Sequence, residues 1–471
     1  MSRSDATADE PSASSRRLDD LSTEPQLFLI LECDRLLAAG ARSLAGISSA
    51  VICRGVDRSA RRSAHGSDRE LRVEVPSKSM SANHARLVRR SGQWAIEDLG
   101  SRNGTFLNGY PVDKGPLADG DILQLGRTIF RLRTDLPTPA GAPADLDASD
   151  LHDLEPGLAT LLPLDGHRIA TFRQIAASDV SVLLLGQTGT GKELLARALH
   201  SISRRKGKFI AVNCGALAPS LTESQLFGHL KGSFSGASRD SVGFVRAADG
   251  GTLFLDEIGD LAVPAQATLL RTVEESEVVP LGAAQPVKVD VRIVAATHKT
   301  IETDPEQNRF RSDLLARIAG YTHRLPPLVD RLEDLGLLIS HLLRDMPGQG
   351  NRNVSIEPNA ARALLMHRWP MNIRELKQAL RTSTLLAQDG VIRTACLPAT
   401  IAGALDGRPA GGAPGVERPL TDQEEQLKVL LIKHMRTNRG NVTAVSRQIG
   451  KASTQVYRWL KRFGVNVKDF R

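Results

Sequence analysis

The chain has 471 residues, a length that at roughly 150 residues per domain predicts about three folding units. Apolar residues make up 41% and charged residues 24%, which excludes a disordered or fibrous chain; no run approaches the roughly eighteen apolar residues that cross a bilayer, and the start, SRSDATADEPSASS, lacks the apolar core of a secretory signal. The formal net charge is +8, and residues 421–471 alone carry 11 Lys/Arg against 4 Asp/Glu, a net of +7, so the basic surface is confined to one terminal segment.

These features predict a cytoplasmic protein with no membrane partner. Cys33, Cys53, Cys214 and Cys396 are widely spaced and match neither a zinc site nor a disulfide framework. After a start expected to be disordered over residues 1–23, short alternating runs such as LRVEV, QWAIEDL and DILQLGRTIFRL are separated by Gly/Asn/Ser turns. That pattern predicts an all-β sandwich over residues 24–134.

Within that region stand Met80-Ser81-Ala82-Asn83-His84-Ala85, the run Asp98-Leu-Gly100-Ser101-Arg102-Asn103-Gly104-Thr105-Phe-Leu-Asn108-Gly109, and Gly120-Asp121-Ile-Leu-Gln-Leu-Gly126. Together they resemble a forkhead-associated (FHA) domain. The resemblance implies a phosphothreonine protein or peptide as partner, with Arg54 and Ser81 on the phosphate, Asn103 on the peptide chain, Asn108 in the same site, and His84 bracing the loop from inside. These residue types suit phosphopeptide binding, because a dianion wants an arginine and a hydroxyl, and a peptide backbone wants amides that donate and accept together. Cys53 and Ala82 depart from the family pattern, which usually has Gly-Arg at the first place and often a basic residue at the second.

Residues 135–156 (DLPTPAGAPADLDASDLHDLEP) and 402–418 (AGALDGRPAGGAPGVER) are rich in Pro, Ala, Gly and Asp without apolar period and read as linkers. Between them, over residues 157–401, strand-like runs (SVLLLG, FIAVN, TLFLDE, VRIVAAT) alternate with helical patterns (KELLARALHSI, PAQATLLRTVEESE). This predicts a mostly parallel α/β sheet with a helical tail. Gly186-Gln-Thr-Gly189-Thr190-Gly191-Lys192 follows an apolar strand and opens a helix. In that context glycines turn backbone N–H groups toward phosphates, the helix start adds positive potential, and Lys192 supplies a point charge. About seventy residues on, an apolar strand ends in Asp256-Glu257. An acid pair so placed suits Mg2+ on Asp256 and water polarised by Glu257 for attack on the γ-phosphate of ATP.

Residues 153–401 resemble the AAA+ domain of the sigma-54-dependent transcriptional activators, in which Glu193 after the lysine is usual. The segment Glu223-Ser-Gln-Leu-Phe-Gly-His229-Leu-Lys-Gly232-Ser233-Phe234-Ser235-Gly236-Ala237 resembles that family's ESELFGHxKGAFTGA signature. The resemblance implies that this glycine-bracketed loop contacts sigma-54 RNA polymerase. Carried over in the same way, Asn213 holds the strand-end glutamate in an inactive pose, Thr297 and His298 read the γ-phosphate, Arg311 and Arg317 reach into a neighbouring subunit, and Arg374 is the lid arginine of WPGNVREL. Sites shared between subunits imply a homo-oligomeric ring, a hexamer. Ser235 for Thr keeps the hydroxyl and loses a methyl; Met371 stands where the family has glycine, at a cost of about 1 kcal/mol and a tilt of Arg374 if that backbone has positive φ.

Residues 419–471 predict an all-α helix-turn-helix, with a first helix from about Asp422 to Met435 and two short ones either side of Gly450. They resemble a Fis-type DNA-binding domain, although Val445 and Ser446 replace its double alanine. Val456, Leu460 and Phe463 form an apolar stripe and leave Ser453, Thr454 and Gln455 for base edges and Arg458, Lys461 and Arg462 for phosphates of double-stranded DNA. The chain thus reads as a multidomain ATPase that activates transcription under phosphothreonine control. The alternative is a phospho-dependent DNA-binding scaffold or repressor that no longer activates sigma-54.

Overall fold

The computed structural model describes residues 21–405 apart from 37–38, 67, 152–153, 156, 300–309 and 347–353, and beyond these residues 422–438, 445 and 448. The chain forms two units, Met1–Gly411 and Gly412–Arg471.

The first unit opens with thirteen strands: β1 (Leu21–Glu32), β2 (Gly40–Ser43), β3 (Ser49–Arg54), β4 (Ser59–His65), β5 (Asp68–Val75), β6 (Ala85–Arg90), β7 (Gln93–Asp98), β8 (Thr105–Leu107), β9 (Tyr110–Pro111), β10 (Lys114–Pro116), β11 (Ile122–Leu125), β12 (Thr128–Pro139) and β13 (Asp145–Asp147). They make two sheets, ordered β13-β2-β1-β12-β11-β8-β9 and β10-β7-β6-β3-β5-β4. Alternate residues point inward, as the period of two requires: Leu71, Val73 and Val75 from β5 meet Trp94 and Ile96 from β7 and Leu123 and Leu125 from β11.

Two sequence expectations are corrected here. Residues 21–23 belong to β1, and two pieces of the stretch read as a linker, 135–139 and 145–147, are built into the first sheet. β12 runs on to Pro139 against Leu21–Glu24, and β13 pairs with β2. Prolines at 137 and 139 lie beyond a register shift, where a missing N–H is tolerated at a sheet edge, so the composition hid the strand.

The α/β part contains α1 (Pro163–Ala176), β14 (Val182–Leu185), α2 (Lys192–Ser203), β15 (Phe209–Asn213), α3 (Thr222–Phe227), α4 (Gly243–Ala247), β16 (Thr252–Asp256), α5 (Val263–Glu275), a hairpin of β17 (Glu277–Val278) and β18 (Val287–Lys288), then β19 (Arg292–Thr297), α6 (Ser312–Ile318) and β20 (Tyr321–Arg324). Its parallel sheet is ordered β15-β16-β19-β14-β20. Both faces are covered: Leu183, Leu253, Leu255 and Ile293 face one core, Leu184, Phe254 and Val294 the other. That double coverage explains the continuous apolar runs of these strands.

The helical lid follows as α7 (Leu335–Arg344), β21 (Ser355–Ile356), α8 (Pro358–Met366), α9 (Asn372–Leu386), β22 (Val391–Ile392) and α10 (Ala399–Ala402). It packs around the fully buried Trp369. In the second unit α11 (Asp422–Thr437) is the helix expected to precede the helix-turn-helix, with Leu431, Met435 and Val445 buried. Ser453, Thr454, Gln455, Arg458, Lys461 and Arg462 lie outside the described residues. No helix among the described residues is long and apolar enough to cross a membrane.

Candidate nucleotide site

The C-terminal ends of β14, β16 and β19 gather the predicted chemistry at one edge of the sheet. After β14, Gly189 and Gly191 adopt φ of +80° and +104°, values that favour glycine. Lys192 is the first residue of α2 and is buried; its Nζ donates to its own loop, to the carbonyls of Gly186 at 2.9 Å and Gln187 at 3.3 Å. The Thr190 hydroxyl donates to the Gln187 carbonyl at 2.8 Å. Glu193 faces outward and pairs with Arg197 at 2.7 Å.

Asp256 ends β16. Burial pushes its carboxyl above the usual range, partly offset by Lys192 nearby. A half-buried carboxylate so disfavoured gains from a divalent cation, and Mg2+ is commonly held by one or two carboxylates plus nucleotide phosphates, so the site fits that ion. Glu257 follows with φ +50°. Its Oε1 lies 4.0 Å from Lys192 Nζ, and its Oε2 accepts a 2.6 Å hydrogen bond from Nδ1 of His298. Asn213, expected to hold this glutamate, sits across from Asp256 in register with its side chain exposed. His298 is the partner of Glu257 instead. It stands one residue past Thr297, a buried residue whose carbonyl accepts the Gly186 N–H at 3.2 Å.

The lid closes the other side. Ile373 N–H donates to the Gly189 carbonyl at 2.9 Å, and Asn372 Nδ2 donates to the Thr188 carbonyl at 3.0 Å and to Gln187 Oε1 at 3.2 Å. Arg374 is exposed in the first turn of α9, its Cβ 3.1 Å from where a Cβ on Gly189 would stand. Met371 has φ −106°, so the feared backbone strain is absent; the positive φ values fall on Trp369 (+51°) and Asn372 (+53°). Asn372, the first residue of α9, tolerates this region well; its signal in the sequence is an asparagine at the helix start.

Arg311 and Arg317 on and beside α6 are exposed, and they pair with Asp313 at 2.7 Å and Glu274 at 2.9 Å rather than with members of this site. The loop from Gly232 to Ala237 is pinned at both ends by backbone bonds, Gly232 N–H to the Ala237 carbonyl at 2.9 Å and Ala237 N–H to the Phe234 carbonyl at 3.0 Å. Gly232 and Gly236 take φ of +82° and +115°. Phe234 lies edge-on to His229 at 5.1 Å, with Ser233 half-buried and Ser235 exposed at the tip.

At the sandwich, Arg54 is exposed and its N–H donates to the Ser81 carbonyl at 2.9 Å. The Ser81 hydroxyl oxygen accepts the Arg102 N–H at 3.0 Å, and Asn103 Nδ2 donates to the Ser79 carbonyl at 2.7 Å. Asn108 lies in the turn between β8 and β9. It occupies φ +51°, donates to Asp121 at 2.7 Å and accepts the Ile122 N–H at 2.9 Å, so its amide is committed to the turn.

Fold and site define a P-loop ATPase domain of the AAA+ type with a helical lid, carried on the same chain as a β-sandwich. Family models match in the same order: an FHA domain over residues 64–126, a Sigma-54 interaction domain over 166–323 and an AAA+ ATPase lid domain over 329–412. The transcriptional regulatory protein GlrR of Escherichia coli (strain K12) is 37% identical over 317 residues, 67% of this chain and 69% of that one. The DNA-binding transcriptional regulator NtrC of Azospirillum brasilense is 40% identical over 323 residues, 67% and 64% of the two chains. The acetoin catabolism regulatory protein of Cupriavidus necator is 42% identical over 305 residues, 63% of this chain but only 45% of the relative. The chain belongs to the sigma-54-dependent transcriptional activators.

Proposed function

We propose that the protein hydrolyses ATP with Mg2+ in a homo-oligomeric ring, a hexamer, and uses the cycle to remodel sigma-54 RNA polymerase from an upstream double-stranded DNA site. The observation that carries this is the convergence of Lys192, Asp256, Glu257 and His298 on one sheet edge, beneath a lid held by Asn372. Lys192 exchanges loop carbonyls for phosphate oxygens, and the glycine amides and the start of α2 receive the rest of the phosphate charge. Asp256 would hold the cation, which neutralises charge on the transferring phosphoryl group. Glu257, directed by His298, polarises the attacking water. Arg311 and Arg317 complete a neighbour's site; their exposure and their exchangeable surface pairs suit that role. The exposed Ser235 and half-buried Phe234 present the loop to the polymerase. The second unit binds DNA through its basic terminus, and the sandwich binds a phosphothreonine protein through Arg54, Ser81 and Asn103.

Transcription from a sigma-54 promoter with purified protein tests this. Open complexes should form with ATP and enhancer DNA, and Phe234→Ala should abolish them while ATPase activity stays within about twofold. A wild-type chain that hydrolyses ATP yet yields no open complex would favour the scaffold or repressor reading.

A further inference from the structure

Strand β1 is apolar on both faces. Leu27 and Leu29 point into the sandwich, Phe28 and Ile30 point away from it, and all four are nearly or fully buried. A free-standing sandwich would leave the second pair in water, because an antiparallel sheet with one packed face alternates apolar and polar. Here the outer face of β1 and β12 lies in one continuous core with the lid, where Phe28, Ile30 and Ile129 join Leu332, Leu335 and Leu337.

The polar contacts are as specific as the apolar ones. Arg131 and Arg133, the next outward residues of β12, converge on the fully buried Glu333 at 3.4 and 2.8 Å. Its neighbour Asp334, also fully buried, accepts the Leu161 N–H at 2.7 Å and the Thr160 hydroxyl at 2.8 Å. One turn of chain therefore grips the sandwich with one acid and the entry to the ATPase domain with the next. The Ile356 N–H donates to the Cys33 carbonyl at 2.9 Å. Gly336, in the first turn of α7, lies so close to the Ile30 carbonyl that a Cβ there would collide with it.

We propose that the outer face of β1 and β12 is a docking surface whose occupant is this chain's own lid, and that this seat sets the position of the lid over the phosphate loop. Glu333 is the positioning residue of the seat. The path to the nucleotide site is short and made of direct bonds: five residues before Glu333, the Leu328 N–H donates at 2.7 Å to Oδ1 of Asn372, whose Nδ2 holds the phosphate loop. The FHA domain is thus a fixed wing of the motor, and the family's AAA+ signature does not announce it.

Gly336→Ala in the full-length chain is the test, since alanine favours the helix itself and obstructs only the seat. Hydrogen exchange should rise in β1 and α7 while β6 and β7 keep their protection, and KM for ATP should rise at least about threefold. Unchanged exchange in β1 and α7, or raised exchange with unchanged KM, would overturn the proposal. Should that variant not fold, Glu333→Gln gives the same two readouts with the same decision. The exchange arm needs no hydrolysis, so failure of the seat and failure of the ATPase reading are told apart.

Discussion

His298 Nδ1 donates to Glu257 Oε2 at 2.6 Å, across the tips of the neighbouring strands β19 and β16. One oxygen of the carboxylate expected to polarise water is therefore already directed by an imidazole, and the other faces Lys192. Removing the ring leaves a carboxylate on a left-handed residue with freedom to swing. His298→Ala is expected to lower kcat about tenfold, roughly 1.4 kcal/mol of barrier, with KM for ATP nearly unchanged, and His298→Asn to recover part of the loss. Steady-state ATPase assays decide it: an unchanged kcat in His298→Ala removes the histidine from the working site.

Gly189 is packed directly under the lid, its carbonyl accepting the Ile373 N–H at 2.9 Å. It has φ +80°, and a Cβ there would collide with the Met371 carbonyl. Gly189→Ala should cost about 1–3 kcal/mol of local strain and push α9 off the loop. Because neither apolar core of the α/β domain includes this residue, the fold should survive while affinity for a fluorescent ATP analogue falls by about tenfold or more. Wild-type affinity in a folded variant would show that the lid contact is dispensable.

Much of this site is legible in sequence because it is built from short, contiguous signals: a glycine loop after one apolar strand, an acid pair after another, an arginine at a helix start. The sign of φ at Met371 was not legible, since the left-handed positions fell on Trp369 and Asn372 on either side of it. Nor was Glu333, which reads as one charge among several in DRLED until Arg131 and Arg133, two hundred residues earlier, are folded against it. The one hint was the unbroken apolar run of β1, which an isolated sandwich would have alternated. The strand hidden in residues 135–139 had the opposite fault, as prolines erased a pattern that the pairing with β1 makes real.

His323 on β20 is buried beside Phe172, with ring centres 5.0 Å apart. Burial pushes its pKa down from 6.5 to about 4, with Asp165 opposing and Arg168 adding to the shift. The unfolded chain then binds the extra proton between pH 6.5 and 4, so this residue's stability contribution is present above pH 6.5 and lost as pH falls toward 4. Between pH 7 and pH 5 the loss is about 2 kcal/mol. His323→Phe should remove that part of the acid sensitivity, and urea unfolding of both chains at pH 7 and pH 5 measures it. Equal pH dependence in the two chains would contradict the assignment.

In the sandwich, Ser81 and Asn108 predict opposite phenotypes. The Ser81 N–H donates to Nδ1 of the fully buried His84, whose Nε2–H donates to the Gly104 carbonyl at 3.2 Å. Burial lowers the His84 pKa, which favours the neutral ring that these two bonds require. The loop bearing Ser81 is thus fixed from below, and among the described residues its hydroxyl holds the Arg102 N–H. Ser81→Ala should weaken binding of a phosphothreonine peptide about tenfold, roughly 1.4 kcal/mol, and leave thermal stability nearly unchanged. Asn108→Ala strips two hydrogen bonds from a left-handed turn, so it should cost about 1–3 kcal/mol of stability with peptide affinity close to wild type. Calorimetric binding and thermal melts on the same two full-length variants separate the roles; a reversed pattern would move the phosphate site away from Ser81 and return Asn108 to it.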